Sequence, residues 1–529
     1  MALVTPVRLA AVATAVLALS DCSAAIPETV PTDAGLVSGV TLTRGVRAFK
    51  GIPFGAPPIG GLRWREPQPV SPWDGVRRAE AFGDVCVQPS GRGRVNVSVD
   101  LPDSPPVGED CLYLNVWTAA ERADERRPVM VWIFGGAFSE GAGSSPHNDG
   151  EALARKGVVL VTFNYRLGPF GFFSHPELTQ ESGRGASGNQ GLLDAIAALR
   201  WVQRNVAAFG GDPDNVTIFG ESAGAVMVGG LTGSPLARGL FNRAIAESGA
   251  WMGLSMARMG TREDAERPGR GRRGDSGAEP APLESLAALR AKPAAEIAET
   301  RGAGMIVDGW VIAEDVSAAF AAGRQNAVDV LVGSNRDEGT SFGLRPTAGQ
   351  WVEQVRQRWG DLADPYLALY PAGSDEAAAA SAIAAASDEM FWHMQIFADA
   401  EARTGSNAWL YYFTHEPPYG PDTRNLGATH TVEIPYVFNN LAAPRVFPDA
   451  SSAELAVASP TERAFADGVS SYWVNFARTG DPNGDGLEPW PAFGGVDDRR
   501  VMILGPDVPP PGDQTLRLYD QLYARQLGP

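Results

Sequence analysis

Short, unbroken apolar runs recur along the chain, each ending in glycine-rich or polar punctuation. Val129-Met130-Val131-Trp132-Ile133 and residues 158–163 show no polar alternation. That is the pattern of strands buried on both faces of a parallel sheet. Similar runs stand at 244–246, 328–332 and 409–413. Residues 37–43 instead alternate and predict part of an N-terminal hairpin, and 109–117 predict a strand with two unlike faces. Between strands the period changes. Leu192, Ile196, Leu199, Val202 and Val206 recur every three or four residues on one helical face, which Gly210-Gly211-Asp212-Pro213 then stops. The alanine-rich stretch 375–387 also predicts helix. Strands alternating with helices in this way indicate an α/β protein with a largely parallel sheet. The Pro- and Gly-punctuated run Gly51-Ile52-Pro53-Phe54-Gly55-Ala56-Pro57-Pro58 predicts a rigid, irregular surface path. Residues 257–283 hold almost no apolar side chains and predict a flexible surface insertion.

One of these strands carries chemistry. Asn215-Val216-Thr217-Ile218-Phe219 runs directly into Gly220-Glu221-Ser222-Ala223-Gly224, and small helix-forming residues follow. A strand, a Gly-x-Ser-x-Gly turn and a helix together place the serine on a sharp elbow as a nucleophile. Bulk at Gly220 or Gly224 would block so tight a turn. The elbow also sets Ser222 at a helix N-terminus, where unpaired N–H groups favour developing negative charge. Gly339-Thr340-Ser341-Phe342-Gly343 matches the same pattern. It neither follows a strand directly nor opens a helix, so it is a decoy.

A serine hydroxyl needs a base within hydrogen-bond reach, and the base needs an orienting partner. On this architecture they follow in the order serine, acid, histidine. The five histidines are His147, His175, His393, His415 and His430. The first two precede Ser222, His393 falls in a helical stretch, and His415 closes the 409–413 strand. His430, in a loop after the last long strand, is the expected base. Glu338 and Asp337, just beyond the 328–332 strand, are both candidates for the acid.

The 529 residues, 44% hydrophobic and 20% charged, suit a globular chain able to bury a large core. The net charge of −18 argues against nucleic acid or an anionic membrane surface as the main partner. Arg8 precedes an apolar run at 9–19, too short to span a bilayer but suited to a signal peptide, predicted over residues 1–25. Ser23-Ala24-Ala25 offers a cleavage site. Leu19-Ser20-Asp21-Cys22 resembles a lipoprotein box that would leave Cys22 lipidated, with Asp21 an unusual residue for it. No later stretch is apolar and long enough for a transmembrane helix. Cys86 and Cys111 remain as an even pair, and export predicts that they form a disulfide.

The chain from Gly51 to about Trp490 resembles the type-B carboxylesterase family, whose members include bacterial p-nitrobenzyl esterases and cholinesterases. The segments carrying the resemblance are Gly51-Ile52-Pro53-Phe54, Glu109-Asp110-Cys111-Leu112, Asn164-Tyr165-Arg166-Leu167-Gly168, the Ser222 elbow, 335–339 and 473–483. The resemblance implies one α/β-hydrolase domain over 26–529, with helical insertions over the active site. It implies Ser222 as nucleophile, Glu338 rather than Asp337 as acid, and His430 as base. It also implies an oxyanion hole formed by the amides of Gly136, Ala137 and Ala223. Many relatives have a third glycine in place of Ala137, and His or Tyr in place of Phe134. Glu221 is expected to be a buried structural carboxylate, and Ser248 to support the site by hydrogen bonding. The expected substrate is a small-molecule ester, with no metal or organic cofactor. Two rivals are disfavoured. The 87–110 loop lacks the aromatic residue expected for cholinesterase-like recognition of quaternary ammonium, and the complete Ser222, Glu338 and His430 set speaks against a non-catalytic binding protein. Phe138, Trp251, Phe342, Phe391 and Trp392 are candidates for pocket walls, each individually expected to be core.

Overall fold

A computed structural model describes residues 25–89, 103–252, 259–267, 283–300, 302, 304–419, 424–442 and 458–527. The expected leader with Cys22 lies outside the described residues, save Ala25. So does most of the expected insertion at 257–283. Its described part includes a short strand, Gly260–Thr261, and one helical turn, Arg262–Ala265.

The centre is a ten-stranded sheet. In chain order its strands are β1 (Val40–Thr41), β2 (Arg47–Pro53), β3 (Tyr113–Thr118), β4 (Arg127–Ile133), β5 (Val159–Phe163), β6 (Gly211–Glu221), β7 (Arg243–Glu247), β8 (Asp329–Asn335), β9 (Ala408–Phe413) and β10 (Val501–Leu504). Across the sheet they run β10-β9-β8-β7-β6-β4-β5-β3-β2-β1. All pairs from β10 to β5 are parallel, and β3, β2 and β1 form an antiparallel edge. The apolar runs read from the sequence are these central strands, and the side chains 129–133, 159–161 and 330–332 are fully buried or nearly so. The alternating run 37–43 is split: Val37 and Ser38 end a hairpin of Thr29–Thr32 with Gly35–Ser38 in a separate small sheet, and Val40–Thr41 pair with Ala48 and Arg47 in the main one.

The helices that position the site pack on the sheet. Helix α1 (Gln190–Asn205) buries its predicted apolar face, and Gly210, at φ 81°, ends the turn that follows it. Helix α2 (Ala223–Gly233) is buried along most of its length. Helix α3 (Asp375–Arg403) starts at Ser374, whose Oγ accepts the Ala377 N–H. Helix α4 (Pro460–Thr479) combines a Ser459 cap, proline in the first turn and Gly480 at φ 84° beyond its end.

Two expectations are corrected. Gly51-Ile52-Pro53 does not run over the surface: it closes β2, with Ile52 fully buried. The β2–β3 register shifts between Phe49 and Ile52, and Gly51 supplies φ 71° at that bulge, so the strand continues through residues that look like breakers. Strand β6 begins at Gly211, not at Asn215. Gly211 already pairs with Arg127, and a register shift before Val216 absorbs Asp212 and Pro213.

Candidate active site

The parallel strands end together. Glu221, the last residue of β6, lies in register with Glu247, the last of β7, and Glu247 with Gly333 of β8. The crevice beyond the carboxyl ends of such strands is where α/β sheets bind ligands. Ser222 follows Glu221 with φ 55° and ψ −124°, and α2 starts at the next residue. Its N–H donates to the Glu247 carbonyl at 2.9 Å, and its carbonyl accepts the Val226 N–H at 2.9 Å. A non-glycine residue held in that conformation stores roughly 1–3 kcal/mol. The elbow packs directly against β4: a Cβ on Gly224 would come within 1.9 Å of the Ile133 carbonyl oxygen.

Ser222, His430 and Glu338 come together as expected. Ser222 Oγ lies 2.8 Å from His430 Nε2, and His430 Nδ1 lies 2.6 Å from Glu338 Oε2. The other Glu338 oxygen accepts the Asn335 N–H at 2.7 Å and the Ser248 hydroxyl at 2.5 Å, so the carboxylate is fixed at both ends. Asn335 also holds the histidine loop, donating from Nδ2 to the Thr429 carbonyl at 2.8 Å and to Glu433 at 2.5 Å. Asp337 is turned away, ion-paired with Arg336 and accepting the Ala428 N–H at 2.8 Å. The other histidines are elsewhere: His175 caps a helix, His393 accepts the Met252 N–H, and His415 pairs with Glu462. Buried His147 is pushed down to about 4 by desolvation.

Four carboxyl groups crowd the strand ends. Glu221, Glu247, Glu338 and Glu433 are at most 1% exposed. Burial pushes Glu221 and Glu247 well above the ordinary carboxylate range, and burial together with the Glu338 charge raises Glu433 to about 7. Burial opposes a charged His430, but Glu221 and Glu338 outweigh it and raise the imidazole above its ordinary value. Glu221 Oε1 lies 3.2 Å from His430 Nε2. Both groups of this pair are raised, Glu221 by burial and His430 by the facing carboxylates.

The glycine-rich loop beyond β4 lies against the nucleophile. A Cβ on Gly135 would meet Ser222 Cβ at 3.0 Å. Gly136, Ala137 and Phe138 all take positive φ, at 111°, 52° and 60°. The carbonyl of Gly136 accepts the N–H of Ser139 and Glu140, and among the described residues no hydrogen bond occupies the N–H of Gly136 or Ala137. Ala223 opens α2, where an N–H has no partner one turn back.

Ser248 and Glu221 take the supporting places expected of them. Glu433, Glu247 and Asn335 are partners not anticipated individually. The sequence signal for Glu433 is only its place three residues after His430, and for Glu247 the end of an apolar run. Trp473 Nε1 donates to Glu247 at 2.8 Å, which ties α4 to the site. Trp251, Phe391 and Trp392 are core, at most 1% exposed. Phe342 stands at the site, edge-on to the His430 ring at 5.2 Å and 36% exposed. The described residues contain no group of acidic, histidine or cysteine side chains arranged to hold a metal. Cys86 and Cys111 are disulfide-bonded.

The carboxylesterase family model matches residues 27–509. The chain is 39% identical to a fumonisin B1 esterase of Sphingopyxis macrogoltabida, over 90% of this chain and 86% of that protein. It is 35% identical to the para-nitrobenzyl esterase of Bacillus subtilis, over 90% and 95%. Among solved structures it resembles a PNB esterase, with TM-score 0.76 and 32% identity over 94% of this chain and 99% of that one. It also resembles the carboxylesterase EST55 of Geobacillus stearothermophilus, with TM-score 0.72 and 34% identity over 90% and 97%. The strand order, the elbow at the sheet's carboxyl edge and matches spanning nearly the whole chain agree: the chain belongs to the carboxylesterase family and is a carboxylic ester hydrolase of the α/β-hydrolase fold.

Proposed function

We propose that this enzyme hydrolyses small-molecule esters through an acyl-enzyme on Ser222, with His430 as base and Glu338 as its orienting acid. The observation that carries the reading is the unbroken hydrogen-bonded line from Ser222 Oγ through the imidazole to Glu338. Ser222 Oγ attacks the ester carbonyl while its proton passes to His430 Nε2. The amides of Gly136, Ala137 and Ala223 receive the oxyanion. Collapse expels the alcohol, which takes its proton from the imidazolium. Water then attacks the acyl-serine, giving a proton to His430. The second collapse releases the acid and returns that proton to Ser222. Glu338 fixes the tautomer with Nδ1 protonated and stabilises the imidazolium. Each oxyanion donor of this kind is worth roughly 3–4 kcal/mol in the transition state.

The names of the relatives, a fumonisin B1 esterase and a para-nitrobenzyl esterase, support small organic esters as the substrate class. Phe138 and Phe342, partly exposed beside the loop and the base, would form part of the pocket wall. Export is supported by the signal-peptide pattern of residues 1–25 and by the Cys86–Cys111 disulfide. No helix among the described residues is long and apolar enough to cross a membrane.

A fluorophosphonate probe tests the reading, since it phosphonylates only an activated serine. Mass spectrometry is expected to find the adduct on the Ser222 peptide of the wild type and to find none in Ser222→Ala or His430→Ala. Labelling on another serine, or undiminished labelling in Ser222→Ala, would overturn it.

A further inference from the structure

The segment Asn164-Tyr165-Arg166-Leu167-Gly168 grips the glycine-rich loop at several points. Tyr165 is fully buried, and its hydroxyl donates to the Phe134 carbonyl at 2.8 Å. The two rings stack at 4.3 Å and 18°. The Gly168 N–H donates to the Phe138 carbonyl at 2.6 Å, and Asn164 Oδ1 accepts the Gly143 N–H at 2.9 Å. Arg166 anchors the segment to α1 through a buried, two-pronged pair with Asp194. Phe134 and Tyr165 lie just past the ends of the neighbouring strands β4 and β5, so the sheet itself sets their approach.

Phe134 is where the strand gives way to the loop. A peptide unit is a rigid plane, so holding the Phe134 carbonyl fixes the plane that ends at the Gly135 N–H, the unit immediately before the one that carries the Gly136 N–H. The units that follow run through Gly136, Ala137 and Phe138, whose left-handed backbone persists only if its surroundings over-determine it. We propose that Tyr165 is a positioning residue: its hydroxyl fixes the Phe134 carbonyl and thereby aims the Gly136 and Ala137 amides at the oxyanion. The inference rests on the reading of those amides as oxyanion donors. Phe134 explains why the hydroxyl is used in this way. Its ring has no polar group to offer, so Tyr165 bonds to the backbone and the side chains only stack. Burial, reinforced by the Glu221 charge, raises the phenol well above its ordinary range. It therefore remains a donor at every assay pH, and its contribution is independent of pH.

The test is Tyr165→Phe, which keeps the ring and removes the bond. Three readouts are taken: kcat and KM on a p-nitrophenyl ester across pH, affinity for a trifluoromethyl ketone that forms a tetrahedral adduct, and hydrogen exchange of the 134–143 amides without ligand. Loss of alignment by a fraction of an ångström to about 1 Å costs on the order of 10–100-fold. The expected result is that fall in kcat, with KM within about twofold and the pH profile unshifted. Ketone affinity falls in parallel, and loop exchange is faster by about tenfold or more. Tyr519→Phe is the control. It removes an equally buried hydroxyl, which bonds to the Ala385 carbonyl on α3, and kcat is expected to stay at the wild-type value. If Tyr165→Phe is insoluble, Tyr165→Met, which also lacks the hydroxyl and packs adaptably, carries the same readouts. The proposal is overturned by a folded variant whose kcat and loop exchange match the wild type, by an equal loss in Tyr519→Phe, or by a shifted pH profile. A wild type that hydrolyses no ester would overturn the proposed function instead, and loop exchange would still judge the Tyr165 bond.

Discussion

Replacing Glu338 with glutamine tests the site at its most constrained point. The change is isosteric and removes one charge. Glu338 Oε1 accepts two donors, the Asn335 N–H and the Ser248 hydroxyl, so the amide oxygen of the glutamine must take that place. The NH2 then faces His430 Nδ1, where the Glu338 oxygen had been 2.6 Å away. A donor facing Nδ1 forces the imidazole into the tautomer with the proton on Nε2. That nitrogen then points a hydrogen at Ser222 and can no longer accept one. The loss combines the wrong tautomer with an unsupported imidazolium and is expected to be about 10³–10⁴ in kcat, or roughly 4–5.5 kcal/mol. KM is expected to stay within a few-fold, because no substrate contact changes. Asp337→Asn is the comparison. It weakens the pair with Arg336 and is expected to lower kcat less than about tenfold. The assay is steady-state hydrolysis of p-nitrophenyl acetate, with circular dichroism to confirm folding. A folded Glu338→Gln enzyme retaining more than a tenth of wild-type kcat, or an Asp337→Asn enzyme that is worse, would refute the reasoning.

Other consequences follow from the same structure. Reducing the disulfide, or Cys86→Ser with Cys111→Ser, reopens a loop with a sequence separation of 25 and is expected to cost about 3 kcal/mol in chemical denaturation; an unchanged midpoint contradicts this. Glu221→Gln removes a carboxylate that raises His430, so the acid limb of kcat/KM against pH is expected to move to lower pH, and an upward move contradicts the assignment. Glu401, fully buried near the end of α3, is raised by burial to about 8. Between its ordinary value of 4.5 and about 8 the folded chain holds a proton that the unfolded chain releases, so stability falls as pH rises through that window. The fall amounts to at most about 4–5 kcal/mol. Glu401→Gln is expected to match the wild type near pH 5 and exceed it at pH 8, as read by denaturant titration at both values.

Much of this was readable from the chain because the relevant physics is local. Unbroken β-branched runs announced the buried parallel strands, and the turn around Ser222 needed small residues that the sequence displays. His430 stood out by order and by elimination among five histidines. Spacing could not separate Glu338 from Asp337. They are neighbours, and only the path of the chain after β8 turns one inward and the other toward Arg336. The buried carboxylates were opaque for a different reason. Nothing local marks Glu247 or Glu433 as buried; their crowding arises from strands ending in register, which only sheet pairing decides. The same holds for Tyr165, whose role depends on β5 lying beside β4. Gly51 and Gly211 misled because a bulge lets a strand pass through residues that elsewhere end one.

The most direct test of the central claim is the hydrolysis of p-nitrophenyl esters from acetate to decanoate by the wild type and Ser222→Ala. The account predicts turnover of short acyl chains by the wild type, with an initial burst equal to one acyl group per enzyme wherever deacylation is the slower step. It predicts loss of both burst and turnover, by 10³-fold or more, in the mutant. Equal activity in the two proteins would show that the reacting group is not Ser222, and no activity in either would contradict the esterase mechanism itself.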